Sequence, residues 1–121
     1  PLFDSFAKMY NLAKDKNKEK SVLIVMTDGE ENSSKEISRD AVKAMVKDAE
    51  ARNWQTIFLG ADFDVTSFAS SFGVQAANSL NMTAANYAPA LQNLASMTRM
   101  YAATEAKMEF SVQDKANAIK Q

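Results

Sequence analysis

Aspartates follow two apolar segments of this sequence, each at the point where a strand would end. Asp28 follows the segment 21–27, and Asp62 and Asp64 follow the segment 54–60. In a parallel sheet the carboxyl ends of the strands meet at one edge, where ligands bind. Carboxylate oxygens are the ligands that Mg²⁺ prefers, and one or two of them often suffice. Asp28 is therefore a candidate ligand for a divalent cation, and Gly29 provides the turn after it.

Each of these acids also has a purely structural interpretation. An Asp-Gly pair after a strand is a common turn, and Asp28 can also accept hydrogen bonds from the local backbone. Asp62 or Asp64 can cap the helix that follows them. Glu30 and Glu31 fit a solvated loop equally well. The residue types alone leave both interpretations open.

Composition excludes several kinds of site within this sequence. There is no histidine and no cysteine, so a Ser-His-Asp triad, a histidine-ligated zinc and a cysteine nucleophile are all ruled out. The net charge of −1 gives no indication of nucleic-acid or membrane binding. No apolar segment approaches the roughly 20 residues of a membrane span, and no signal peptide is visible. We expect a cytoplasmic chain that binds neither nucleic acid nor membrane.

The hydrophobic pattern alternates between the helical and the strand period. Residues 21–27 are continuously apolar, which is typical of a parallel strand buried on both faces. Ser33 or Ser34 can cap the helix after it, and Pro89 favours a helix that starts near Ala88. The predicted helices are 2–15, 34–52, 65–72 and 84–103, the predicted strands are 21–27, 54–60 and a short edge strand near 75–79, and 107–121 is weakly helical.

Strands that alternate with helices predict an α/β fold, with a mostly parallel sheet in a three-layer α/β/α arrangement. The length of 121 residues fits one domain or a piece of one. We expect a single unit over 1–121, with a core at 1–106 and a tail or helix at 107–121.

Four stretches resemble a von Willebrand factor type A (VWA) domain, over roughly residues 1–103. VLIVMTDGEENSS (22–34) resembles the fourth strand of that family and the loop after it. IFLGADFDVTSFASSFGV (57–74) resembles the next strand and helix in the bacterial and phage branch, and AANSLNM (76–82) fills the place of an Asn-rich loop. PLFDSFAKM (1–9) is similar to the helix that follows the metal-binding threonine of the family.

The resemblance implies part of a metal-ion-dependent adhesion site. The family builds that site from an Asp-x-Ser-x-Ser loop, a threonine and the aspartate of a Thr-Asp-Gly turn, and only the last is present here, as Asp28. The threonine would fall immediately before Pro1. The chain thus resembles the C-terminal half of a Rossmann-like VWA fold that lacks its N-terminal strands. We expect Mg²⁺ or Mn²⁺ in the intact domain, and no cation, or a loosely held one, in this chain.

For function, the resemblance implies a protein-interaction module that is not an enzyme. Its protein partner would offer a carboxylate to the open coordination position of the cation. Two alternatives remain: a small Mg²⁺-dependent phosphotransfer or nuclease-like α/β domain, because such folds also place acids at strand ends, and a structural subunit that pairs with another chain.

The resemblance also predicts how the chain associates. In the family the strand at 22–28 lies beside the first strand, which is absent here, so this strand should form an exposed sheet edge. We expect a two-fold homodimer in which these edges, or the faces beside them, meet. A missing N-terminal segment bound as a separate chain is the other solution.

Overall fold

A computed structural model describes residues 2–16, 20–29, 37–104 and 106–120 of the chain. The helices of these residues are α1 (Leu2–Lys16), α2 (Arg39–Ala51), α3 (Val65–Ser70), α4 (Tyr87–Ala103) and α5 (Val112–Ala118), with short 3₁₀ turns at Ala76–Asn78 and Ala84–Asn86. The strands are β1 (Val22–Thr27), β2 (Gln55–Ala61) and β3 (Ser79–Met82).

The three strands form one parallel sheet in the order β1-β2-β3. Ile24 lies opposite Ile57, and Phe58 lies opposite Ser79. The predicted α/β class with a parallel sheet is confirmed. The complete three-layer arrangement and the relation to half of a VWA domain stay predictions.

Two apolar clusters hold the helices and the sheet together. Successive strand residues point to opposite faces, so Phe58 joins one cluster while its neighbours Ile57 and Leu59 join the other. The first cluster combines α1, α2 and α3 with the first face of the sheet, and its largest aromatic members are Phe3, Phe6, Tyr10, Trp54, Phe58, Phe68 and Phe72. The second cluster covers the second face with α4, with α5 and with the segment that carries Met108 and Phe110.

The apolar run 21–27 predicted that β1 is buried on both faces. This prediction is wrong for the second face. Leu23 and Val25 are buried in the first cluster, but Ile24 is 38% exposed and Met26 is 42% exposed. The path of α4 explains the difference. Near its end, the Tyr101 hydroxyl donates to the carbonyl oxygen of Asn53, and Lys20 donates to the carbonyl oxygen of Tyr101. Helix α4 therefore reaches β1 at its amino end, and the carboxyl half of the strand lacks that cover.

The predicted edge strand near 75–79 lies a few residues too early in the chain. Residues 76–78 form a 3₁₀ turn, and the strand begins at Ser79, whose hydroxyl donates to the carbonyl oxygen of Ala76 at 3.0 Å. Helix α5 packs beside β3, where the Thr83 N–H donates to the carbonyl oxygen of Ala118 at 3.0 Å.

The predicted caps Ser33 and Ser34 lie outside the described residues. Within them, Ser38 caps α2, because its hydroxyl accepts a hydrogen bond from the Ala41 N–H at 3.2 Å. No helix in the described ranges has both the length and the apolar character needed to cross a bilayer.

Candidate functional site

Asp28 lies directly after β1 and is exposed. Its neighbours make a local turn. The Thr27 hydroxyl donates to the carbonyl oxygen of Gly29 at 2.7 Å, and the Gly29 N–H lies 3.3 Å from the same hydroxyl oxygen. Thr27 is thus engaged in shaping the turn, while the Asp28 carboxylate is presented to solvent at the carboxyl end of the sheet.

The end of β2 is shaped by a close approach between strand and helix. A Cβ on Gly60 would lie 2.3 Å from the Cβ of Val65, so only glycine lets α3 pack at this distance. Asp62 follows with a φ of 59°, in the left-handed region that aspartate tolerates better than most residues. The chain reverses there within a few residues and enters α3.

Asp64 is a helix cap, which was one of the two interpretations of this acid. Its carboxylate accepts hydrogen bonds from the Ser67 hydroxyl at 2.7 Å and from the Ser67 N–H at 3.2 Å. These bonds, the hydroxyl first, hold the pKa of the Asp64 carboxyl below its usual value. They leave this carboxylate committed to the first turn of α3.

Asn81, near the end of β3, takes part in the same corner of the fold. Its side-chain oxygen accepts the Val65 N–H at 2.8 Å, and the same N–H also donates to the carbonyl oxygen of Phe63 at 2.9 Å. Sequence reasoning missed this role, because a long-range bond from a strand asparagine to a helix start leaves no periodic signal. The only hint was the Asn-rich stretch 76–82.

The described residues do not fit a complete cation site. Thr27 lies opposite Gly60, so Asp28 and Asp62 follow the ends of neighbouring strands. No group of three or more His, Cys, Asp or Glu side chains able to hold a metal ion occurs within the described part of the chain. Glu30 and Glu31 lie outside that part. The role of Asp28 as a ligand therefore stays a prediction.

The outer edge of β1 is the other notable feature beside this turn. The Gln55 N–H donates to the carbonyl oxygen of Ser21 at 2.9 Å, and Val22 lies opposite Gln55 in the ladder. In a parallel ladder, backbone groups of alternate residues point to the two sides of a strand. The N–H and C=O groups of Val22, Ile24 and Met26 therefore point away from β2. Across the described ranges, β1 pairs with β2 alone.

Among the described residues, this edge has none of the usual protection against further pairing. The sequence VLIVMT has no proline, no glycine and no charged residue, and its ladder to β2 runs without a bulge. The exposed side chains of Ile24 and Met26 lie beside the same outward-pointing backbone groups. An extended partner segment could thus bond to the backbone and cover apolar surface at once.

Comparisons with protein-family models, with curated proteins and with solved structures gave no match. The resemblance to VWA domains therefore rests on the sequence motifs.

Proposed function

We propose that this chain is a protein-interaction module that binds an extended segment of a partner along the outer edge of β1. The observation that carries the proposal is the outward direction of the backbone groups of Val22, Ile24 and Met26 on an unprotected edge. A strand added there would gain main-chain hydrogen bonds for affinity, with side-chain pockets for specificity. The exposed Ile24 and Met26 select a partner segment with apolar residues at alternate positions.

The cation is a separate proposal that follows from the VWA resemblance. Asp28 would supply one carboxylate to Mg²⁺ or Mn²⁺, and the other ligands would come from outside the described residues, a carboxylate of the partner protein among them. Edge binding does not require this cation. The phosphotransfer or nuclease alternative stays a prediction, because no observation on the described residues favours it.

Screening a displayed library of extended peptides for binding tests the edge proposal. The wild-type protein should bind peptides with alternating apolar residues, and the Ile24→Pro variant should lose that binding by about tenfold or more, because proline removes an outward N–H. The β1–β2 ladder keeps its bonds, since the Ile24 N–H does not point to β2.

Val112→Pro is the matched control. Val112 is 88% exposed and is the first residue of α5, where proline is tolerated. Circular dichroism establishes that both variants are folded. Peptide binding that survives in the folded Ile24→Pro variant contradicts the proposal, and so does the absence of peptide binding by monomeric wild-type protein.

The cation proposal is tested by titration of Mg²⁺ and Mn²⁺ into the isolated chain and into a complex with a selected peptide. Binding of the cation should be strengthened by an acidic residue at the end of the peptide, and Asp28→Ala should abolish that gain without unfolding the protein. A cation held equally well by the Asp28→Ala variant contradicts the role of Asp28.

A further inference from the structure

The segment 20–28 reads KSVLIVMTD and is a chemical palindrome about Ile24. Apolar residues flank Ile24 on each side, a hydroxyl residue follows at each end, and the two outermost residues have opposite charges. If a second copy of the strand runs antiparallel with Ile24 on the two-fold axis, each residue meets one of matching chemistry. The opposed pairs are Lys20 with Asp28, Ser21 with Thr27, Val22 with Met26, Leu23 with Val25, and Ile24 with itself.

The hydrogen-bonding direction of β1 permits this register. In an antiparallel pair, outward-pointing residues must lie opposite outward-pointing residues. Val22, Ile24 and Met26 are the outward residues of β1. With Ile24 on the axis, Val22 meets Met26 of the other copy, so all outward N–H and C=O groups of the strand find partners. Sliding one strand past the other by a single residue would move the axis to a point between two residues. Outward groups of one copy would then lie opposite groups of the other copy that are already bonded to β2.

Charge complementarity favours this register over the next permitted one toward Met26. A shift of the axis by one residue toward Met26 would place the Asp28 carboxylate opposite apolar Val22. With the axis at Ile24, Asp28 of each copy meets Lys20 of the other, and both residues are exposed. The Lys20 ammonium donates to the carbonyl oxygens of Tyr101 at 2.8 Å and of Thr104 at 2.6 Å. A lysine has three donors, so these bonds leave one donor for a carboxylate.

We propose that the partner segment at the β1 edge is the same segment of a second copy of this chain, in the register centred on Ile24. This inference rests on the proposed function, because it uses the same edge. The product is a two-fold dimer with a continuous six-stranded sheet, in which β1 pairs antiparallel with its own copy. The Ile24 and Met26 side chains of both copies then form one apolar strip on the second face of that sheet.

A charge swap tests the pairing without reference to any unidentified partner. Lys20→Asp places two acids opposite each other at each end of the interface, and Asp28→Lys places two lysines there. Each variant alone should be monomeric in sedimentation velocity at concentrations where the wild type dimerises, because like charges directly opposite destabilise a strand pair. An equimolar mixture should recover the dimer, since every Lys then meets an Asp.

The matched control is Asp15→Lys, which makes the same change of charge as Asp28→Lys at an exposed position of α1. It should leave the dimer unchanged. Circular dichroism is recorded for every variant, because Lys20→Asp also removes two bonds to the end of α4.

A second experiment reads the register even if Lys20→Asp fails to fold. The sequence has no cysteine, so Ile24→Cys introduces a single thiol on the two-fold axis. A short bismaleimide should link two copies at position 24. Met26→Cys should link far more slowly, because its copies would lie about 13 Å apart along the strand.

A wild-type chain that stays monomeric up to about 1 mM overturns the proposal. The proposal is also overturned if both charge variants dimerise as the wild type does, or if the cross-link forms faster through position 26 than through position 24. If the wild type is monomeric but still binds extended peptides in an Ile24-dependent way, the second copy is the wrong occupant and the proposed function stands. If peptide binding is also absent, both fail.

Discussion

Thr56 has a buried hydroxyl without a hydrogen-bond partner among the described residues. An unsatisfied buried polar group costs free energy, and an apolar group of the same shape removes that cost. We expect Thr56→Val to raise the free energy of unfolding by about 1 kcal/mol, as measured by urea denaturation.

Thr66 provides the control for this prediction. Its hydroxyl lies 2.9 Å from the Ser79 hydroxyl, so Thr66→Val breaks a hydrogen bond and should destabilise the fold. Equal effects of the two substitutions would mean that the Thr56 hydroxyl has a partner.

Gly60 sets the distance between β2 and α3. In Gly60→Ala the new Cβ would lie 2.3 Å from the Val65 Cβ, and neither atom belongs to the far end of a flexible side chain. We expect a loss of stability of about 1–3 kcal/mol or more, since overpacking forces backbone shifts. Gly29→Ala is the control, because a Cβ there meets nothing within 4 Å. A Gly60→Ala variant as stable as the wild type would show that α3 can move away at little cost.

At the scale of elements, the capping box of α5 is the clearest local signal in the C-terminal part. The Ser111 hydroxyl accepts the Asp114 N–H at 3.0 Å, and the Asp114 carboxylate accepts the Ser111 N–H at 2.9 Å. Ser111→Ala should cost about 1 kcal/mol of unfolding free energy. Because α5 packs beside β3, amide exchange of β3 should also accelerate. Ser70→Ala, an exposed change in α3, should affect neither quantity.

The sequence located most elements because their signals are local. The predicted strands 21–27 and 54–60 match β1 and β2 within one residue, since dense apolar runs bounded by polar residues specify them. Of the two starts predicted for α4, the later one near Ala88 lies one residue from the observed start at Tyr87, because Pro89 fits the first turn of a helix. The earlier start at 84 is wrong, since residues 84–86 form a 3₁₀ turn. Exposure of Ile24 could not be predicted, because it depends on where α4 crosses the sheet.

The candidate site was predictable only in part, for the same reason. The position of Asp28 after β1 and the capping role of Asp64 follow from short motifs, and both are observed. The contact of Asn81 with the Val65 N–H and that of Lys20 with α4 join residues far apart in sequence. Such contacts need the packed helices, which no single motif contains.

For the molecule as a whole, acid should weaken the fold through its capped and paired aspartates. Asp48 accepts hydrogen bonds from the Tyr10 hydroxyl and from Arg52, which together lower the pKa of its carboxyl. The Asp64 carboxyl also has a lowered pKa. A carboxyl whose pKa is lower in the folded than in the unfolded protein stabilises the fold at pH values above its unfolded pKa, about 3.9. This stability is lost as the pH falls through the pKa of the folded protein.

We therefore expect the midpoint of urea unfolding to drop as the pH falls below about 4. Asp48→Asn should lower stability at pH 7 and flatten the acid limb of the stability profile. An unchanged acid limb in Asp48→Asn would show that the bond between α1 and α2 does not depend on the charge.

The exposed edge of β1 also matters before the protein has finished being made. β1 leaves the ribosome ahead of β2, and the chain between Thr27 and Gln55, roughly 28 residues, takes about 1–6 s to synthesise. During that interval an apolar strand has none of its later sheet neighbours. In a polysome, nascent copies would carry the same self-complementary segment close together. Pairing between nascent copies through this segment would then compete with the pairing of β1 and β2 within each chain.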